Sequence, residues 1–120
     1  MKIAVSSQGK DLSSQVDPRF GRAPYFIIYD TDRESFDVIE NTQNLNAVQG
    51  AGIQSAQNIS RANVDLVISG NIGPKAFAAL SATGIKTALW AEGTVAQALE
   101  LAKNNELEIN KNANVNGHWI

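Results

Sequence analysis

Arg19 and Arg22 stand three positions apart in the stretch Gln15 to Phe26, Gln-Val-Asp-Pro-Arg-Phe-Gly-Arg-Ala-Pro-Tyr-Phe. Pro18 and Pro24 each fix φ and lack a backbone donor, and Gly21 lies between them, so no regular helix runs through it. Phe20, Tyr25 and Phe26 are costly to leave in water, so the stretch is not a solvated linker either. Two guanidinium groups held in a stiff, aromatic-lined loop can fork onto anionic oxygens or sulfurs. Complementary chemistry lies in two glycine turns, Gly50-Ala51-Gly52 and Gly70-Asn71-Ile72-Gly73, each of which precedes a helical pattern. A helix N-terminus offers free N–H groups and a positive dipole end, and glycine lets the backbone approach a ligand closely. The candidate binding set is therefore Ser7, Gly9, Arg19, Phe20, Gly21, Arg22, Asn41, Gly50, Gly52, Gly70, Asn71 and Gly73.

Each of these residues also has a plainer reading. Gly50 and Gly52 suit the start of a helix, and Gly70 and Gly73 suit a tight β–α turn whatever the function. Arg19 can form a local ion pair with Asp17, and Phe20 and Tyr25 can plug the core. The sequence leaves both readings open.

Motifs of other chemistries are missing. There is no GxGxxG after the first strand, no Gly-Lys-Ser/Thr phosphate loop, no GxSxG and no HExxH. A two-metal nuclease site would want acidic residues on central strands. Lys2 to Ser6 carries none, and Asp65 is the one acid on the second parallel strand. Catalysis is therefore not expected. The chain has no cysteine, which excludes disulfides, a thiol nucleophile and thiolate-ligated clusters. His118, the single histidine, lies in a polar C-terminal segment beside Trp119. It is a weak candidate metal ligand, with a solvated tail histidine as the plainer reading.

The 120 residues fit one domain, and a 43% hydrophobic content is that of a globular chain. A net charge of −2 argues against a protein that coats nucleic acid. No stretch approaches the roughly 18 apolar residues of a membrane span, and the N-terminus turns polar too soon for a signal peptide. A cytoplasmic protein that binds neither nucleic acid nor membrane is expected.

Lys2 to Ser6, Pro24 to Tyr29 and Ser35 to Glu40 read as strands, the last two as a hairpin. Gly50 to about Ala62 has helical spacing at Ile53, Ala56 and Ile59. Val64 to Ser69 is a continuous apolar run, as in a strand covered on both faces. Lys75 to Ser81 reads as a helix with Pro74 at its first position, Ile85 to Trp90 as a strand, and Val95 onward as a helix capped by Thr94. The order β β β α β α β α predicts a mixed five-stranded α/β sheet in the order 3-2-1-4-5. The second strand is antiparallel and helices lie on both faces. Ligands of such sheets gather at the carboxyl ends of the parallel strands. Residues 1–109 are expected to form the domain and 110–120 a flexible polar tail.

In order, Ser-Ser-Gln-Gly, Val16 to Phe26, Glu40-Asn41, Gly50-Ala51-Gly52-Ile53, Gly70 to Phe77 and Gly84-Ile85 resemble the dinitrogenase iron–molybdenum cofactor family over residues 1 to about 103. The resemblance implies a ribonuclease-H-like fold without implying nuclease activity. It further implies a small non-catalytic carrier of an anionic metal–sulfur cluster or its precursor. Family members in nitrogen fixation bind iron–sulfur or iron–molybdenum precursors. Some others bind a molybdenum–copper sulfide cluster without covalent ligation. A cysteine-free chain suits non-covalent holding, and equally a member that binds no metal. The alternative is an interaction or regulatory module of cluster assembly, with the arginine loop docking a partner such as an iron–sulfur carrier ATPase. A phosphate-ester enzyme is a third, weaker reading.

Overall fold

Leu66 to Ser69 is buried at every position, as the central strand of a doubly covered sheet must be. The structure, a computed structural model, describes residues 1–41 and 50–110. Its elements are β1 (Lys2–Ser7), β2 (Tyr25–Asp30), β3 (Ser35–Glu40), α1 (Ala51–Ser60), β4 (Leu66–Ser69), α2 (Pro74–Ala82), β5 (Lys86–Leu89), α3 (Val95–Lys103) and β6 (Ile109–Asn110). The sheet order is β3-β2-β1-β4-β5-β6. β1, β4 and β5 are parallel, and β2 runs antiparallel between β1 and β3.

This is the expected order with one strand added. β6 pairs antiparallel with the outer side of β5, Thr87 opposite Asn110 and Ala88 opposite Ile109. The sheet is thus six-stranded, and Asn110 belongs to it. Residues 111–120, with His118, lie outside the described residues, as do residues 42–49.

Side chains alternate across the sheet and meet a different helix layer on each face. Ile3, Val5, Leu66, Ile68 and Ala88 pack against Val95, Ala98, Leu99 and Ala102 of α3. Ala4, Phe26, Ile28 and Val67 pack against Ala56 and Ile59 of α1 and Ala76 and Leu80 of α2. Helices on both faces follow from this alternation. The helices start by different means. Thr94 and Gln97 form a reciprocal capping box on α3. α1 and α2 begin at Gly50 and Gly73, with no side-chain cap and no acidic residue in the first turn.

Candidate anion-binding site

The chain between β1 and β2 folds back over the carboxyl ends of the parallel strands and is tied to each of them. Asp17 N donates to the Ser6 carbonyl (2.8 Å) and Val16 N to the Gly93 carbonyl (2.9 Å). Phe20 N donates to the Asn71 carbonyl (3.1 Å), and Asn71 Nδ2 to the Pro18 carbonyl (3.1 Å). Beneath this strap, Ser6 Oγ lies 2.6 Å from the Asp17 carbonyl and 2.8 Å from Ser69 Oγ. The strap thereby satisfies polar groups at the ends of β1 and β4 that would otherwise be buried without partners.

Glycine is required where the strap meets the turns. A Cβ on Gly21 would stand 2.9 Å from the Gly52 backbone nitrogen, and one on Gly70 would stand 2.8 Å from Pro18 Cα. The two helix starts also touch, since a Cβ on Gly52 would lie 3.1 Å from the Ala76 Cβ. The N-termini of α1 and α2 are therefore neighbours, and the Arg19–Arg22 segment crosses beside them. First-turn N–H groups have no partner within their own helix, and the N-cap residues Gly50 and Gly73 have no side chain to supply one. Lys75 adds an exposed cation to the first turn of α2, where the helix dipole disfavours one.

The candidate residues divide into two groups. Gly21, Arg22, Gly52, Gly70, Asn71 and Gly73 gather at the strap and the two helix starts, and Gly50 caps α1. The others are occupied by structural work. Asp17, 1% exposed, accepts from Arg19 N (2.8 Å), Nε (3.1 Å) and Nη2 (3.1 Å). This bidentate pair, chiefly through its hydrogen bonds, raises the Arg19 pKa above its ordinary value. The Arg19 side chain is still 61% exposed, so its outer edge faces solvent. Phe20 is a core plug with its ring 5.2 Å from that of Phe26. Asn41 is buried. It donates to the Ala23 (2.8 Å) and Gly21 (3.4 Å) carbonyls and accepts from Ser55 Oγ (2.9 Å) and Asn58 Nδ2 (3.3 Å). It brackets the strap to α1 and has no donor left for a ligand. Ser7 Oγ and Gly9 bond each other locally.

Arg22 differs from Arg19. It is exposed, and among the described residues its guanidinium has no ion-pair or hydrogen-bond partner. Two cations escaped the sequence reading. Lys75 was legible from its place directly after Pro74. Lys10, whose Nζ lies 5.4 Å from the Tyr25 ring centroid, depends on the path of the strap and had no sequence signal. Trp90, at the end of the expected strand, is half-buried beside Gly93 and packs against the core.

The family model for dinitrogenase iron-molybdenum cofactor matches residues 1–105. The chain belongs to that family. Among solved structures it is similar to the apo form of the orange protein from Desulfovibrio gigas. That match has 34% identity, a TM-score of 0.90, and covers 95% of this chain and 96% of the other. A Thermotoga protein provisionally described as NifB shares 36% identity at a TM-score of 0.81, covering 97% and 98% of the two chains. An uncharacterised protein of Methanocaldococcus jannaschii is 36% identical over 88 residues, 71% of this chain and 70% of that one. The ribonuclease-H-like expectation came with this family, and the mixed sheet and its order agree with it.

Proposed function

We propose that this family member is a small non-catalytic carrier of an anionic metal–sulfur cluster or its precursor, held non-covalently and acting in the cytoplasm. The observation that carries the reading is the meeting of two helix N-termini that begin at glycines, acid-free in their first turns, beneath a strap that brings in Arg22. Among the described residues no acidic side chain in the first turns offsets the positive dipole ends of the two helices.

The donor set suits this cargo. Among the described residues no group of three or more His, Asp or Glu is placed to hold a metal ion, and the chain has no cysteine. The described residues thus lack the usual groups for direct ligation, whereas their backbone N–H donors and guanidinium groups match a cluster whose outer atoms are sulfide. Arg22, Lys75 and the first-turn amides of α1 and α2 would contact the anion, with the exposed edge of Arg19 at the rim. Asn41, Phe20 and Asp17 would hold the strap in place without touching it. Cluster-assembly proteins, such as an iron–sulfur carrier ATPase, are the partner class this role requires.

The test is elemental analysis and visible absorption of the protein purified without oxygen from its own host. Stoichiometric metal with acid-labile sulfide, and a sulfide-to-metal charge-transfer band, are expected. Metal-free protein from cells that hold the metals and sulfide in supply would contradict the reading.

A further inference from the structure

The described sheet has two edges. β6, described over Ile109–Asn110, forms one. β3 ends the other with six residues in unbroken register against β2, from Ser35 opposite Asp30 to Glu40 opposite Tyr25. It has no proline, no bulge and no lysine, and its only charges are the acids Asp37 and Glu40, which disfavour pairing with a like-charged strand. Among the described residues nothing pairs with its outer side. Every residue of β3 is exposed or half-buried, and Phe36 is 37% exposed.

The charge around this edge is one-sided. Residues 30–40 hold five acids (Asp30, Asp32, Glu34, Asp37 and Glu40) against one base, Arg33, a net charge of −4. The whole chain carries −2, so the rest is net positive. Arg33 turns back to Asp30 (4.0 Å), and Asp32 pairs with the N-terminal ammonium (3.2 Å). Asp37, Glu40 and Glu34 form no ion pair within 4.0 Å among the described residues. A second copy would set this acidic hairpin against itself, which like-charge repulsion disfavours.

We propose that β3 accepts a basic, extended segment of a partner protein as an added strand. Backbone pairing along β3 would supply affinity. Lysine or arginine on the face of Asp37 would supply specificity, and apolar residues on the alternate face would cover Phe36 and Val38. The proposal does not rest on the anion site. It does place the partner near the same end of the sheet, since Glu40 pairs with Tyr25 at the start of β2.

The probe is a seven-residue peptide of alternating lysine and valine with blocked ends, and the same peptide with glutamate for lysine serves as control. Backbone amide NMR with hydrogen exchange is recorded on the full chain. The lysine peptide is expected to shift β3 resonances and slow exchange at least about fivefold at the alternate β3 amides that face away from β2. The glutamate peptide should do neither. In Asp37→Lys/Glu40→Lys, folded by the same spectrum, the preference should reverse. Shifts at acidic side chains without amide protection would overturn the proposal by showing charge attraction alone. Outer β3 amides already protected in free protein would overturn it by showing the edge is covered. Concentration-dependent protection without peptide would overturn it in favour of a second copy.

Discussion

Gly52, in the first turn of α1, faces Ala76, in the first turn of α2, so closely that a Cβ on the glycine would stand 3.1 Å from the alanine Cβ. This contact makes two helix N-termini into one surface, and Gly21 of the strap seals it from above. Adding a methyl group tests how tightly the three are set. Gly21→Ala meets backbone, the Gly52 nitrogen at 2.9 Å, whereas Gly52→Ala meets only a methyl group. Gly21→Ala is expected to cost about 1–3 kcal/mol of stability, the usual cost of overpacking, and Gly52→Ala less. Urea unfolding checks the ranking, and equal costs would mean that the strap is not seated on α1.

The two arginines should separate in their effects. Arg19→Gln breaks a bidentate bond to a buried carboxylate, so melting temperature should fall. Arg22→Gln breaks no bond among the described residues and should leave it unchanged. Thermal unfolding of the two single variants without ligand decides this, and a larger loss in Arg22→Gln would contradict the assignment.

How much of this was legible beforehand can be judged from the same residues. The pattern at Gly50, Gly52, Gly70 and Gly73 marked two helix starts, and the strand order placed them at one end of the sheet. Asp17-Pro18-Arg19 allowed both an ion pair and a free guanidinium, because spacing does not say whether Asp17 is buried. Burial is set by Ser6 and Ser69 beneath it, on strands 63 residues apart. In the sequence Asn41 reads as a candidate donor to the ligand. That its donors go to the Ala23 and Gly21 carbonyls depends on where the strap passes, which no local pattern encodes. β6 was missed for a similar reason. Ile109-Asn110 has no strand periodicity of its own and becomes a strand only by pairing with β5.

Asn41 should therefore behave as a bracket. Asn41→Ala removes the side-chain donor to the buried Ala23 carbonyl, which typically costs about 1–3 kcal/mol. Chemical denaturation should show that loss. Anion affinity measured well below the melting temperature should change less than twofold.

Asp30 provides a pH signature far from the site. The Arg33 backbone N–H (3.2 Å), opposed by desolvation and supported by the Asp32 N–H (2.9 Å), holds its carboxyl below the ordinary value of 3.8. A carboxyl depressed in the folded state stabilises above its ordinary value, and that contribution is lost as pH falls through the folded value. Wild type should thus be more stable than Asp30→Asn at pH 7, with the difference shrinking below 3.8. Melting curves from pH 7 downward check it, and a difference that grows on acidification would show the sign to be wrong.

The central claim is that the strap and the two helix starts bind a metal–sulfur anion through Arg22. Equilibrium titration with tetrathiomolybdate, a defined anion of this class, tests it most directly on wild type and Arg22→Gln at one ionic strength. A charge-assisted contact is worth roughly 1.5–3 kcal/mol, and about 1.4 kcal/mol is a factor of ten. The account predicts saturable one-site binding to wild type and at least about tenfold weaker binding to Arg22→Gln, with the melting temperature of the free protein unchanged. Equal affinity of the two proteins, or no saturable binding to wild type, would contradict it.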